Sequence, residues 1–545
     1  MSSRAVWISL VSVSMAMSME VDLKTKRYLN DAAYIPAQCY TKTVDAKGGG
    51  KHNPYFSCHI NSTAPNYTND ADLQASYALP EYATKNHWSN LFKDYSNAVA
   101  KISDKSIQNY VKVDNYKNSN NEIILANRLN RLKKEWDSNE DGVWNGYTPD
   151  YYFNFDSQGF DLNPKSQETG WRSFAYNPFL GDFWPANGSS DDVLIRLHPI
   201  LQQNSNHQFD REVYRLNLAI VESLIKRQDV VITAVDEKKY NVDLDKNGEL
   251  GQASKVVFEW NPRAKKFMSY VGAAKEAQKA GSLHLAGGLF PEGIEFLHSV
   301  RYLDIKEGRV VMAQRMKELR YAKKVSWFTY NEIKQLNSSD VTERYHNEDK
   351  LHRIGGDFEH GMNSAKGWRY QGFIEDAKGD LRPQSNEETL YCMGCHRDLG
   401  ATSDGIFSFA RKVESNEFQE GWFHWSQKGF KGLKERVLAS GEYEYTKYLK
   451  HNKSGNAFRT NTSIEDKFFT KNGTLNKRAV AKIHQDISYV ILPDTKKTDT
   501  MNKAYLSIVK EQSFNKGRDA HVKPLQNVHK EIKQGQSTEL DVVVN

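Results

Sequence analysis

Apolar residues recur at helical spacing along much of the chain. Between residues 120 and 136, Ile123, Ile124, Leu125, Leu129 and Leu132 repeat at intervals of three and four, which gives a helix one buried face. Residues 211–227 show the pattern over a broader side, with Val213, Leu216, Leu218, Ala219, Val221, Leu224 and Ile225 together. Stretches 87–113, 310–337, 433–438, 477–490 and 501–512 read as further helices. Strand signals are shorter. Residues 230–235 form a β-branched run, and 255–260 and 266–271 flank Asn261-Pro262 as the arms of a hairpin. Residues 151–187, rich in aromatic residues, Gly, Pro and Asn, read as irregular structure with short strands. The expectation is a mostly α protein with irregular loops and a few short β-hairpins, in the α+β class.

A chain of 545 residues builds two or three domains. The expected division is a signal peptide at 1–18, an N-terminal region at 19–115 and an α+β region at 116–300. A cofactor region at 301–430 and a helical C-terminal region at 431–545 follow. Net charge is only +6 and no dense Lys/Arg stripe accompanies it, which argues against nucleic acid as a partner. Arg4 precedes an apolar run from Ala5 to Ala16 that is too short to span a bilayer, with small residues at cleavage-like spacing. No later segment reaches 18 uninterrupted apolar residues, and no cysteine near the cleavage region offers a lipid attachment point. The expected address is periplasmic or secreted, in a bacterium.

The sharpest chemical signal is Tyr391-Cys392-Met393-Gly394-Cys395-His396. Two thiols two residues apart can add to the two vinyl groups of a porphyrin, and the adjacent imidazole is carried under the ring to ligate iron. A zinc site would want a second close cysteine pair, and the other cysteines, Cys39 and Cys58, stand far apart. A thioredoxin-like motif would want a strand before it. Here Arg382-Pro383 leads through a turn to Ser385 and Glu388 in capping-box spacing, so a helix starts just upstream.

The motif resembles the attachment site of c-type cytochromes, and the chain as a whole is similar to large bacterial c-type cytochromes. That resemblance implies haem c bound through Cys392 and Cys395 with His396 as proximal iron ligand. It also implies a second haem at Cys58 and His59, either with Cys39 supplying the other thiol across a long loop or held by one thioether at Cys58, since Tyr55 stands where the first cysteine of the motif would be. A Cys39–Cys58 disulfide is the competing reading of that pair. His52, His87, His346, His352, His360, Met362 and His424 are candidates for a distal ligand, and Arg397 for a haem propionate.

Two turns carry oxygen ligands at alternate positions followed by glycine: Asp137, Asn139 and Asp141 before Gly142, and Asp243, Asp245 and Asn247 before Gly248. This is the opening half of a calcium loop. The glutamate expected at position 12 is replaced by Thr148 and Ser254, and the same residues also favour plain Asx turns. Three functions remain open. One is electron transfer to a redox partner protein or small molecule through six-coordinate iron. A second is a peroxidase- or oxygenase-like oxidoreductase with open iron. The third is a secreted binding protein without haem.

Overall fold

The computed structural model describes residues 81–178, 192–347, 352–396 except 365, 409–452, 462–525 and 528–533, with a few short stretches elsewhere. Its centre is a nine-stranded antiparallel sheet. The strands are β1 (Phe160–Leu162), β2 (Glu168–Phe174) and β3 (Val193–Arg196), then β6 (Glu295–Lys306) and β7 (Arg309–Lys324). The last four are β8 (Gly356–Asp357), β9 (Gly361–Asn363), β10 (Trp368–Glu375) and β11 (Leu381–Pro383). The spatial order is β8-β9-β10-β7-β6-β3-β2-β1, with β11 on the other part of β10. A separate hairpin pairs β4 (Val230–Asp236) with β5 (Gln252–Val256).

This sheet overturns the mostly α expectation. The decisive error lies at 310–324, read from the sequence as helix and observed as β7, sixteen residues long. Ala313, Met316 and Leu319 stand three apart because the register shifts between Met312 and Met316 and again before Glu318. The first shift sets four residues of β7 against two of β6 and the second sets two against one, which breaks the period of two. Buried charges hide the pattern further. Arg315, Lys317 and Glu318 point inward because their partners wait there, with Glu375 2.6 Å from Arg315 and Arg518 2.8 Å from Glu318. The hairpin expected across Asn261-Pro262 reduces to one bridge between Asn261 and Lys266. Residues 252–256 pair with β4 instead.

The helix read at 211–227 forms as α2 (Arg211–Lys226), capped by the Asp210 carboxylate on the N–H groups of Glu212 and Val213. The other helices used below are α1 (Asp104–Lys112), α3 (Tyr330–His346), α4 (Asn386–His396) and α5 (Thr495–Glu511). Successive residues of β6, β7 and β10 serve opposite faces. Leu297, Leu319, Tyr321 and Phe373 on one face join Trp136, Tyr151 and Trp171 in an aromatic core. On the other face, Phe296, Ala322 and Trp368 pack with α2, and Tyr302 and Ile374 pack with α1 and α5. Between those two apolar patches lies a polar strip, His298, Glu318, Arg320 and Tyr370, and α4 covers it. Strand β6 crosses position 300, so the middle and cofactor regions share one sheet.

Candidate cofactor site on the helix ending at His396

The start of α4 is fixed by its own sequence and by buried charges. The Ser385 N–H donates to Glu388 Oε2 at 2.8 Å, and the Glu388 N–H donates to Ser385 Oγ at 3.3 Å, which completes the capping box expected there. Glu388, 3% exposed, also receives a two-pronged guanidinium from Arg382, 2.8 Å on each oxygen. Gln384 packs against Gly372, where any Cβ would collide with its amide, so helix and sheet approach closely. One turn on, Trp88 stacks on Tyr391 at 4.3 Å and the Arg518 guanidinium lies 4.7 Å from the same ring.

The last turn carries the chemistry. On a helix, positions i, i+3 and i+4 share a face, so the backbone places Cys392, Cys395 and His396 on one side of α4. The intervening Met393 faces the protein interior. It is fully buried, in a cluster with Leu390 and Met362 that Ile354 and Tyr370 border. The His396 ring meets the edge of Tyr370 at 5.6 Å. Its Nδ1 is enclosed without a hydrogen-bond partner. Burial, with the positive potential of Arg320 and His298, pushes the imidazole down to about 3. It is therefore neutral, the form that ligates a metal. Sequence reading missed Arg320 and His298 as neighbours of His396, because strand pairing alone brings β6 and β7 beneath the helix.

Other expected residues distribute as follows. Cys39, Cys58, His59, His52 and Arg397 lie outside the described residues or, for His52, only its backbone is described. Met362 packs beside α4. His346 is exposed at the end of α3, and His360 bonds the Asp357 carboxylate at 2.9 Å. His87 stacks on Tyr82 and meets its carbonyl at 2.8 Å. Asp137, Asn139 and Asp141 form a tight turn held by Asp137 on the Gly142 N–H at 2.8 Å. Asp243, Asp245 and Asn247 form a second, with Asp243 on the Gly248 N–H at 3.1 Å.

His424 is engaged elsewhere. Its Nε2 lies 2.8 Å from Asp192 and its Nδ1 2.6 Å from Ser426 Oγ, a serine–histidine–carboxylate sequence of contacts. The arrangement is structural. The Ser426 N–H also donates to Nδ1, so the imidazole caps the short helix that follows. The adjoining cavity is about 20 Å³, room for little more than a water. Asp192 spends its other bonds on Ser299 N and Oγ, at 2.5 and 2.7 Å.

A family model described as a “:-like lipoprotein” matches residues 23–488. The chain belongs to this lipoprotein family. An uncharacterized lipoprotein of Aquifex aeolicus is 27% identical over 551 aligned residues, covering 92% of this chain and 88% of its own. No solved structure matches. The family match replaces the resemblance to c-type cytochromes drawn from the sequence, since no cytochrome family is matched and likeness confined to a few residues around two cysteine sites gives way to a match over most of the chain. Membership implies an envelope-anchored or secreted protein. Among the described residues, no helix is long and apolar enough to cross a membrane.

Proposed function

We propose that this lipoprotein-family member carries covalent haem on α4 and works in electron transfer on the outer side of the cytoplasmic membrane, in the periplasm or secreted. The observation that carries the reading is the placement of two cysteine positions and a neutral histidine on one helical face, with the enclosed Nδ1 of His396 unpartnered. An orphaned buried nitrogen is costly unless something occupies it. Cys392 and Cys395 would hold the porphyrin through thioethers and His396 would hold the iron, which supplies one-electron redox chemistry when bound.

The chain's own residues then have definite tasks. Glu388 and Arg382 fix the start of α4, and Trp88 and Arg518 fix its middle, so the last turn is held without help from the cofactor. Leu390, Met393 and Met362 keep water from the inner side of the helix. Arg320, with its side chain 40% exposed, provides a cationic group near His396 for an anionic substituent of the ring. A redox protein or a small electron donor or acceptor is the partner. A second haem at Cys58 and His59 is part of the same proposal.

The test is expression with the haem-attachment machinery followed by denaturation. Haem that stays with the polypeptide, and is lost in C392A and C395A, is the expected result. A colourless denatured chain overturns the proposal. Iron per chain distinguishes one site from two, and C58A should halve it if the N-terminal site exists.

A further inference from the structure

The second acidic turn sits between β4 and β5, behind a turn that begins with Glu237. Glu237 is 0% exposed. Its Oε1 accepts the N–H groups of Leu244 at 2.5 Å and Asp245 at 3.2 Å, and its Oε2 accepts that of Gly251 at 2.9 Å. One carboxylate oxygen each from Glu237, Asp243 and Asp245 lies within 4.8 Å of the others. Two observations separate this group from an ordinary acidic turn. Asp243 Oδ1 is enclosed with no hydrogen-bond partner, although Oδ2 is satisfied by Gly248. Among the described residues, moreover, no cationic side chain forms an ion pair with any of the three. The nearby Lys239 is spent on Glu212, Lys246 on the Phe267 carbonyl and Lys275 on the Asn241 carbonyl. Gathering three carboxylates, one of them fully desolvated, is unfavourable without a positive charge among them.

We propose that Glu237, Asp243 and Asp245, joined by Asn247, form a calcium site. The turn offers oxygen ligands at its first, third and fifth positions and glycine at its sixth, but Ser254 at the twelfth has no carboxylate. Glu237 supplies that carboxylate from before the loop. Calcium accepts a set of protein carboxylates and amides in flexible geometry, whereas magnesium keeps several of its waters and is seldom held by an all-protein cage, so this donor set suits calcium.

The first acidic turn is a built-in comparison. Glu359, also 0% exposed, accepts the N–H groups of Ser138 and Asn145, each at 2.7 Å. These are the second and ninth residues of that turn, as Leu244 and Gly251 are of the other. The fourth residues, Glu140 and Lys246, have φ of 63° and 58°, and the sixth, Gly142 and Gly248, 80° and 91°. The frames are therefore alike, but in the first turn Asp141 Oδ2 already accepts from the amides of Asn139 and Asn145, at 3.0 and 2.8 Å. The cation site is assigned to the second turn alone.

The experiment uses the full-length protein, stripped with a chelator and titrated with calcium chloride by calorimetry, with thermal melting in parallel. The expected dissociation constant is ~0.1–1 mM, the range of extracellular calcium modules. D245N, at a partly exposed position whose one turn contact, the Asn247 N–H on Oδ1 at 3.2 Å, an amide oxygen can keep, should weaken binding at least about tenfold while keeping the wild-type circular dichroism. E237Q should do the same or fail to fold, which is why D245N carries the test. D141N should bind as wild type does, and magnesium chloride should not substitute. Absence of binding and of any melting shift at about 10 mM calcium overturns the assignment, as does wild-type affinity in D245N.

Discussion

The position of α4 depends on one buried ion pair, and E388Q tests how much. Glu388 and Arg382 have side chains 4% and 5% exposed, and the pair is joined by two bonds of 2.8 Å. Removing one charge from such a pair costs about 3–5 kcal/mol, because the other is left buried and uncompensated. The lower end applies here. Gln512 Oε1 accepts from Arg382 at 3.0 and 2.9 Å, and the Pro383 carbonyl at 2.8 Å, so the guanidinium keeps part of its coordination. A loss of about 3 kcal/mol corresponds to roughly 100-fold. The assay is amide hydrogen exchange of the peptide spanning 386–396, which reads the opening of this helix rather than of the whole chain. E388Q should exchange about 100-fold faster there, and R382M/E388L, which removes both charges at similar volume, should lose less than E388Q. Burial raises the Glu388 carboxyl, but Arg382 and the Ser385 N–H outweigh it and hold it below its ordinary 4.5. A carboxylate lowered on folding stabilises above its unfolded pKa, so α4 should keep its protection above pH 4.5 and lose it as the pH falls through the lowered value. That acid dependence should flatten in E388Q. An E388Q increase under tenfold, or a double variant worse than E388Q, would refute the argument.

Other consequences are equally direct. Asp192 receives three buried donors, so D192N should lower stability by about 2–4 kcal/mol in urea denaturation followed by tryptophan fluorescence. A loss within ~0.5 kcal/mol would mean that the His424 contacts are incidental. Lys324 is buried with its Nζ on the Lys366 carbonyl at 2.7 Å, and burial pushes its ammonium down to about 7 from 10.5. Between those values the unfolded chain binds the proton that the folded chain has shed. Stability should thus rise with pH across that window, by up to about 1.4 kcal/mol per unit. K324M should flatten this slope in the same assay, and an unchanged slope would place the titration elsewhere.

Much of the local chemistry was legible from neighbouring residues alone. The capping box at Ser385 and Glu388, the amphipathic α2, and the two acidic turns all depend on interactions a few positions apart, and all appear in the structure. The spacing of Cys392, Cys395 and His396 likewise determines that they share a helical face. The fold class was not legible. Strand β7 needs Glu375 and Arg518, 60 and 200 residues from Arg315 and Glu318 respectively, before its inward charges make sense. Its bulges also erase the alternation that would have marked it.

The same division runs through both candidate sites. Local sequence determined the placement of the candidate ligands that lie close along the chain, since turn and helix geometry follow from short-range sterics and hydrogen bonds. Tertiary structure alone decided what faces them. His298 and Arg320 reach His396 through strand pairing, and Glu237 and Glu359 reach their turns as desolvated side chains from outside each loop. A buried carboxylate or imidazole takes its meaning from charges that the folded chain brings near it, and those charges bear no fixed relation to it in sequence.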